Sequence, residues 1–369
     1  MHAPDGFGTR YGRTFAWLVV FLSLALPFEL QAQGGADVYR FACAACHGDD
    51  GRGQPREIVG FETPLPDFTD CQFATSEADA DWNAVVHLGG PARALERRMP
   101  AFGEALSAEQ IQLAIDYVRG FCRSRAWPHG NLNLPRALVT EKAYPESEAF
   151  VRIASPEEHF IETRFVYERR IGARSQVEIA VPFNVHQAFG AWQRGLGDIA
   201  VGGKHVLVHS AHTGSILSAG VEMTFPTGKE ALGLGHRLKV FEPFVVYGQQ
   251  LPGEAFVHAQ LGLEKPLNLN VKREIYWRVA AGKTFVQGPG GRAWSPIVEL
   301  LAVREFVVGE PEETDLLPQL RVTLSRRHHV SVDVGVRVPL TVPGAVRRTT
   351  LVGTVFWDWY EGGLFDGWR

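Results

Sequence analysis

The chain has 369 residues, enough for two or three domains, and its 45% apolar and 21% charged content is that of an ordinary folded protein. Its 37 basic and 41 acidic residues leave a formal charge of −4 with no long lysine or arginine run, so nothing points to nucleic-acid binding. All four cysteines, at positions 43, 46, 71 and 122, fall in the first third, and chemistry that needs sulfur belongs there.

The first residues read as an export signal over 1–32. Arg10 and Arg13 form a basic start, Phe15 to Phe28 is apolar but short for a membrane span, and Leu30-Gln31-Ala32 ends on a small residue suited to cleavage. The alternative is an uncleaved anchor; both readings take the rest of the chain out of the cytoplasm. No later apolar run reaches the roughly 18 residues of a helical span.

Residues 34–125 form the next unit. Gly35, Tyr39 and Cys43, four apart, share one side of a short helix that leads into Cys43-Ala44-Ala45-Cys46-His47. This spacing attaches one covalent haem c: two thiols three positions apart each add to one vinyl group, and His47 follows as the proximal ligand to iron. Zinc would need two further ligands, and a bare redox pair leaves His47 unexplained. The second axial ligand is expected downstream. After the signal the chain has two methionines, Met99 and Met223, and Met99 stands in Met99-Pro100-Ala101-Phe102, where proline stiffens the loop that presents the sulfur. Its rival is His87. A Met/His pair raises the reduction potential relative to two histidines.

Asp79 to Leu88 reads as a helix stopped by Gly89-Gly90-Pro91. Ser107-Ala108-Glu109-Gln110 is a capping box that opens a last helix, with Ile111, Ala114, Ile115 and Val118 on one apolar face. Cys71 and Cys122 lie before and after these helices. Outside the cytoplasm they are expected to form a disulfide that pins the loop to the helix end; two buried free thiols are the alternative.

The helix running into Cys-x-x-Cys-His-Gly, the glycine-rich turn at Asp49 to Gly53, the Met-Pro loop and the last helix with Tyr117 resemble the class I cytochrome c family. The resemblance covers about ninety residues. It implies an all-α fold with crossing terminal helices, thioethers at Cys43 and Cys46, and His47 and Met99 as axial ligands.

Residues 126–147, with Trp127-Pro128-His129-Gly130 and Leu132 to Pro135, have no period and read as a linker, an ordered strap across a domain surface. From 148 to 369 the period changes from 3.6 to 2. Val330 to Val338 places valine at every other position; Val177–Phe183, Ala255–Leu263 and Leu320–Ser325 alternate in the same way. Weaker stretches at 149–154, 160–170, 198–209, 215–225, 237–248, 273–286, 295–307 and 348–360 bring the expected total to twelve strands, separated by turns such as Pro226-Thr227-Gly228 and Gly288 to Gly291. Long alternating strands with charged inward members (Glu178, Lys204, Glu222, Arg278, Arg321, Asp333, Arg337) and aromatic residues near their ends predict a transmembrane β-barrel with a wet lumen; a soluble sandwich or lipocalin-like barrel is the alternative.

Gly197-Asp198 to Lys204 and Pro226-Thr227-Gly228-Lys229 resemble small porin-like outer-membrane channels, although Glu361 to Arg369 runs past the usual terminal Phe. The whole resembles bacterial cytochrome–porin fusions: an all-α cytochrome c domain followed by a roughly 12-stranded antiparallel transmembrane barrel. The resemblance implies an electron carrier, not an enzyme, in the outer membrane, with the haem domain in the periplasm and periplasmic redox proteins or an external electron donor or acceptor as partners. Three roles follow: an electron conduit, a periplasmic carrier anchored by the barrel, or a redox-gated small-molecule channel. No nucleotide, phosphate-loop or catalytic-triad site is read from the sequence. Metal binding by His205, His209 and His212 is not expected either. His328-His329 read as a solvated loop, and the paired arginines as caps of strand ends.

Overall fold

The computed structural model describes residues 34–359, except 62–63, 156–158, 189, 269–270, 288–291 and 342–348. The expected signal segment, the turns at 288–291 and 342–344, Arg347-Arg348, Tyr360 and the tail from Glu361 lie outside the described residues.

The first part is helical: α1 (Gly35–Ala42), α2 (Ala44–His47), α3 (Arg56–Val59), α4 (Cys71–Ala74), α5 (Asp79–Leu88) and α6 (Ala108–Arg119). The capping box at Ser107 and Gln110 starts α6, and Ile111, Ala114, Ile115 and Val118 are its buried face. Helices α1 and α6 meet at Gly35, where a Cβ would stand 2.0 Å from the Leu113 carbonyl oxygen. A residue without a side chain lets the two backbones touch. Cys71 and Cys122 are joined by a disulfide with their Cα atoms 5.0 Å apart, which ties α4 to the chain beyond α6.

The second part is all antiparallel sheet: β1 (Glu148–Ala154), β2 (Phe160–Ile171), β3 (Ser175–Ala188), β4 (Ala191–Leu196), β5 (Ile199–Ser210), β6 (Ser215–Phe225), β7 (Val240–Leu251), β8 (Ala255–Pro266), β9 (Glu274–Lys283), β10 (Phe285–Gln287), β11 (Arg292–Glu305), β12 (Glu313–Thr323), β13 (Val330–Pro339) and β14 (Thr350–Asp358). Twelve of these close a ring. The seams are β1 against β14, with Glu148 opposite Asp358, and β9 against β11, with Ala280 opposite Glu299. Among the described residues strand β4 pairs only with β3, and β10 extends the β11 hairpin beyond the ring. The alternation expected from the sequence is the alternation of the wall. Strand β12 begins earlier than the expected 320–325, because Pro318, which has no N–H, breaks the pattern without breaking the ladder to Val298.

Burial across the wall is inverted relative to a soluble protein. Glu168 and Glu299 point inward and are 0% exposed, whereas Leu351 and Val334, pointing outward, are 62% and 49% exposed. Ile153, Phe165, Ile179, Val201, Leu261 and Leu320 continue this outward apolar face.

The lumen differs from the expectation. Residues 130–147, expected as a surface strap, run inside the barrel. Leu132, Ala143 and Tyr144 pack on Val206, Ile216 and Val246 of β5 to β7. Leu134 and Ala137 pack on Phe256, Ala280 and Ile297, and Leu138 on Leu301, Leu317 and Val352, so the segment reaches walls on several sides. Irregular backbone at this depth must find hydrogen-bond partners. The wall supplies them: Glu299 accepts from the amides of Val139 and Thr140, Gln319 from Leu138, Gln260 from Glu141 and Gln176 from Glu146. The Ser218 hydroxyl donates to the Ala143 carbonyl. Many inward polar residues therefore answer to the chain's own plug rather than to water. Sequence reasoning missed this because a backbone amide leaves no side-chain signature of the partner it will need.

Candidate functional site

The residues expected to attach haem, Cys43, Cys46 and His47, lie where α1 breaks into α2. The break is local: the Cys43 amide still bonds to Tyr39 of α1, while the His47 amide bonds back to Cys43 and starts a new turn. After His47 the chain reverses, with the Gly53 amide on the His47 carbonyl and the Gln54 amide on that of Cys46, each at 2.8 Å. Tyr39, 0% exposed, holds this turn from below through a 2.7 Å bond from its hydroxyl to the Gly48 carbonyl.

Cys43 and Cys46 are free thiols, both half-buried. Burial, with the neighbouring Cys46 thiol, pushes the Cys43 thiol up to about 11. Burial also lowers His47 to about 4, so at neutral pH its imidazole is uncharged, the form that ligates a metal. The ring stacks on Phe68 at 4.9 Å, and its Nδ1 is buried without a partner among the described residues. Phe68 continues to Trp82 at 5.7 Å and to Phe73 at 6.2 Å, and Tyr117 and Phe121 pack on Tyr39 from the α6 side. Two thiols, a neutral imidazole with an open nitrogen and a wall of aromatic rings fit a covalently held porphyrin. The aromatic wall was not read from the sequence, since Phe68, Phe73 and Phe121 carry no spacing that marks them.

Met99 is half-buried in the loop between α5 and α6, and its carbonyl accepts from the Gly90 amide at 3.1 Å. His87, the rival ligand, is exposed at the end of α5 and lies against Gly103.

The helical part sits on one mouth of the barrel. This mouth carries both strand ends, Glu148 and Asp358, and the short turns 172–174, 211–214, 252–254 and 324–329. The opposite mouth carries longer connections such as 226–239 and 306–312. Gly130 enters the mouth against the Glu77 carbonyl oxygen, which a Cβ would approach to 1.7 Å. The Tyr144 hydroxyl donates to the carbonyl of Thr75, and Asn131 bonds Asp79 at 2.9 Å. His328 and His329, expected in a solvated loop, instead face the helical part: His328 Nδ1 lies 3.1 Å from Asp81, and His329 lies between Asp358 and Glu77. The order of the chain does not reveal this, because the β12–β13 turn and α5 are more than two hundred residues apart.

Inside the barrel, Arg136 of the plug reaches Glu148 (2.6 Å), Glu168 (2.7 Å) and Glu141 (3.0 Å), and Lys204 reaches Glu141 at 2.6 Å. Glu141, Glu168 and Glu178 have oxygens within 4.8 Å of one another, but Arg136 and Lys204 already occupy the first two. His205 bonds Ser175 at 2.9 Å. The segments Gly197-Asp198 and Thr227-Gly228 meet as a structural staple, in which Asp198 accepts from the amides of Gly228 and His236.

Residues 30–118 match the family model described as cytochrome c oxidase, cbb3-type, subunit III. No curated protein matches the sequence significantly. Among solved structures, the barrel is similar in outline to an outer membrane channel from Pseudomonas putida F1 (TM-score 0.45, 12% identity, 61% of this chain and 100% of that one). It is also similar to a KdgM porin (TM-score 0.42, 9% identity, 57% and 99%) and to the NanC porin (TM-score 0.39, 8% identity, 57% and 98%).

Proposed function

We propose that this chain, in which a cytochrome c domain is joined to a closed twelve-stranded barrel, carries electrons between the periplasm and the exterior through a single covalent haem c held in the outer membrane. Cys43 and Cys46 would form the thioethers, with His47 and Met99 as axial ligands. When bound, the haem supplies a one-electron couple; the protein's share is ligand choice, burial and position. His47 stays neutral in its aromatic pocket, and the 90–99 loop presents the Met99 sulfur. Around them, the disulfide and the α1–α6 crossing keep the pocket closed.

The outward apolar face and the closed ring support a membrane location, since a barrel leaves no unpaired strand edge in lipid. Short turns mark the periplasmic mouth in barrels of this kind, which supports a periplasmic haem domain. Periplasmic redox proteins would meet the domain there, with an external donor or acceptor beyond the barrel.

The observation that carries the conduit reading over a solute channel is the filled lumen. Residues 130–147 occupy it and pack on several walls, so protein rather than open space lies along much of the path a solute would take. The test is an impermeant reductant added to intact cells, with haem-stained gels of fractionated membranes. Haem staining in the outer membrane and reduction from outside are expected. Staining without reduction would leave a periplasmic carrier that the barrel merely anchors.

A further inference from the structure

One turn of the barrel grips the loop that ends in Met99. In the β12–β13 turn, the Arg326 guanidinium donates to the Pro91 carbonyl at 2.7 Å and that of Arg327 to the Ala94 carbonyl at 3.2 Å. His328 Nδ1 lies 3.1 Å from Asp81 Oδ1, the same oxygen that receives Arg93 at 2.9 Å. Arg93 is only 4% exposed and belongs to the same loop.

The loop is closed on itself. The Leu95 amide bonds the Gly90 carbonyl, the Met99 amide that of Glu96, and the Gly90 amide that of Met99. Moving 91–94 therefore moves the backbone of Met99. Ala94 has φ +53°, a left-handed conformation that residues with a Cβ adopt rarely and hold only when their surroundings enforce it. Its carbonyl is the one that Arg327 holds.

We propose that Arg326, Arg327 and His328 of the barrel are positioning residues for Met99, so that docking on the barrel sets how firmly the distal sulfur is presented to the haem. This rests on the haem reading above. It makes the barrel a determinant of the redox centre as well as its support, and it links the state of the mouth to the potential of the haem.

Two measurements on the full chain test it. In the haem-loaded protein, Arg326→Ala/Arg327→Ala should lower the reduction potential and weaken the sulfur-to-iron charge-transfer absorption, with the covalent haem retained. Arg326→Gln, a milder change at an exposed side chain, should shift both in the same direction by less. Keeping a donor at position 327 with Arg327→Lys on the Arg326→Gln background should leave them near the Arg326→Gln values. In the haem-free Cys43→Ala/Cys46→Ala chain, peroxide oxidation of Met99 is followed by mass spectrometry against Met223 on β6 as internal reference. The Arg326→Ala/Arg327→Ala change should speed Met99 oxidation about thirtyfold relative to Met223, the ratio expected for two lost hydrogen bonds of about 1 kcal/mol each. An unchanged potential together with an unchanged oxidation ratio overturns the proposal. A purified chain without haem would overturn the haem reading alone, because the peroxide arm would still test the clamp.

Discussion

Arg136 donates to both carboxylate oxygens of Glu168, at 2.7 Å each, in a place where Glu168 has no exposure to solvent. One residue belongs to an irregular segment, the other to β2, and the pair joins plug to wall. Removing one partner of a buried pair leaves a buried charge uncompensated, at a cost of roughly 3–5 kcal/mol. Arg136→Ala removes the nearest cation from both Glu148 and Glu168, leaving Lys142 at 3.8 Å from the first and the Gln176 amide on the second. It should lower the thermal unfolding midpoint of the folded barrel and give steady ion conductance in planar bilayers where the parent chain gives none. A variant as silent as the parent would show that the seal does not depend on this anchor.

The outward face should not tolerate charge. Val334 stands in the middle of β13 and points away from the lumen, beside inward-facing Asp333. Val334→Arg should destabilise the inserted barrel by about 2–4 kcal/mol, the range for arginine near the bilayer midplane. Urea unfolding in vesicles measures this. In detergent of short chain length the penalty should shrink.

The haem-free chain should become less stable as pH falls below neutrality. The unfolded chain protonates His47 near 6.5, whereas burial holds the folded imidazole at about 4. Between these values the unfolded state binds the proton and the folded state does not, so stability is complete above 6.5 and declines until pH 4. The loss is about 3 kcal/mol if the whole shift is expressed. Denaturant titrations at pH 7.5 and 4.5 compare the two regimes, and His47→Gln should narrow the difference by the share that belongs to this imidazole.

Met99 and His87 make opposite predictions as distal ligands. Met99→Ala should alter the ferric absorption spectrum and lower the potential, because a thioether favours the ferrous state relative to nitrogen or water. His87→Ala, at an exposed position, should leave both unchanged. Spectra and potentiometry of the two variants decide the ligand.

How far the sequence could be read depends on how local each cause is. The Cys43-Ala44-Ala45-Cys46-His47 spacing, the Ser107–Gln110 box and the valine alternation from 330 to 338 act over a few residues, and each shows in the string itself. That is why the helical domain and a twelve-stranded closed sheet were legible. The aromatic wall of Phe68, Phe73 and Trp82 was not, because rings from separate segments meet only after the chain has folded around them. The path of residues 130–147 was misread for a related reason. Their prolines and glycines announce an absence of regular structure, and the same composition serves a surface strap and a lumen plug alike.

By itself, then, the sequence determined the periodic elements and the Cys-x-x-Cys-His spacing, since both are set between near neighbours. The tertiary structure alone decided that Arg136 meets Glu168 inside the barrel and that Arg326 and Arg327 hold the loop of Met99. Those contacts join residues 32 and more than two hundred positions apart, and their partners are chosen by burial, which forces each enclosed charge and backbone group to find a complement.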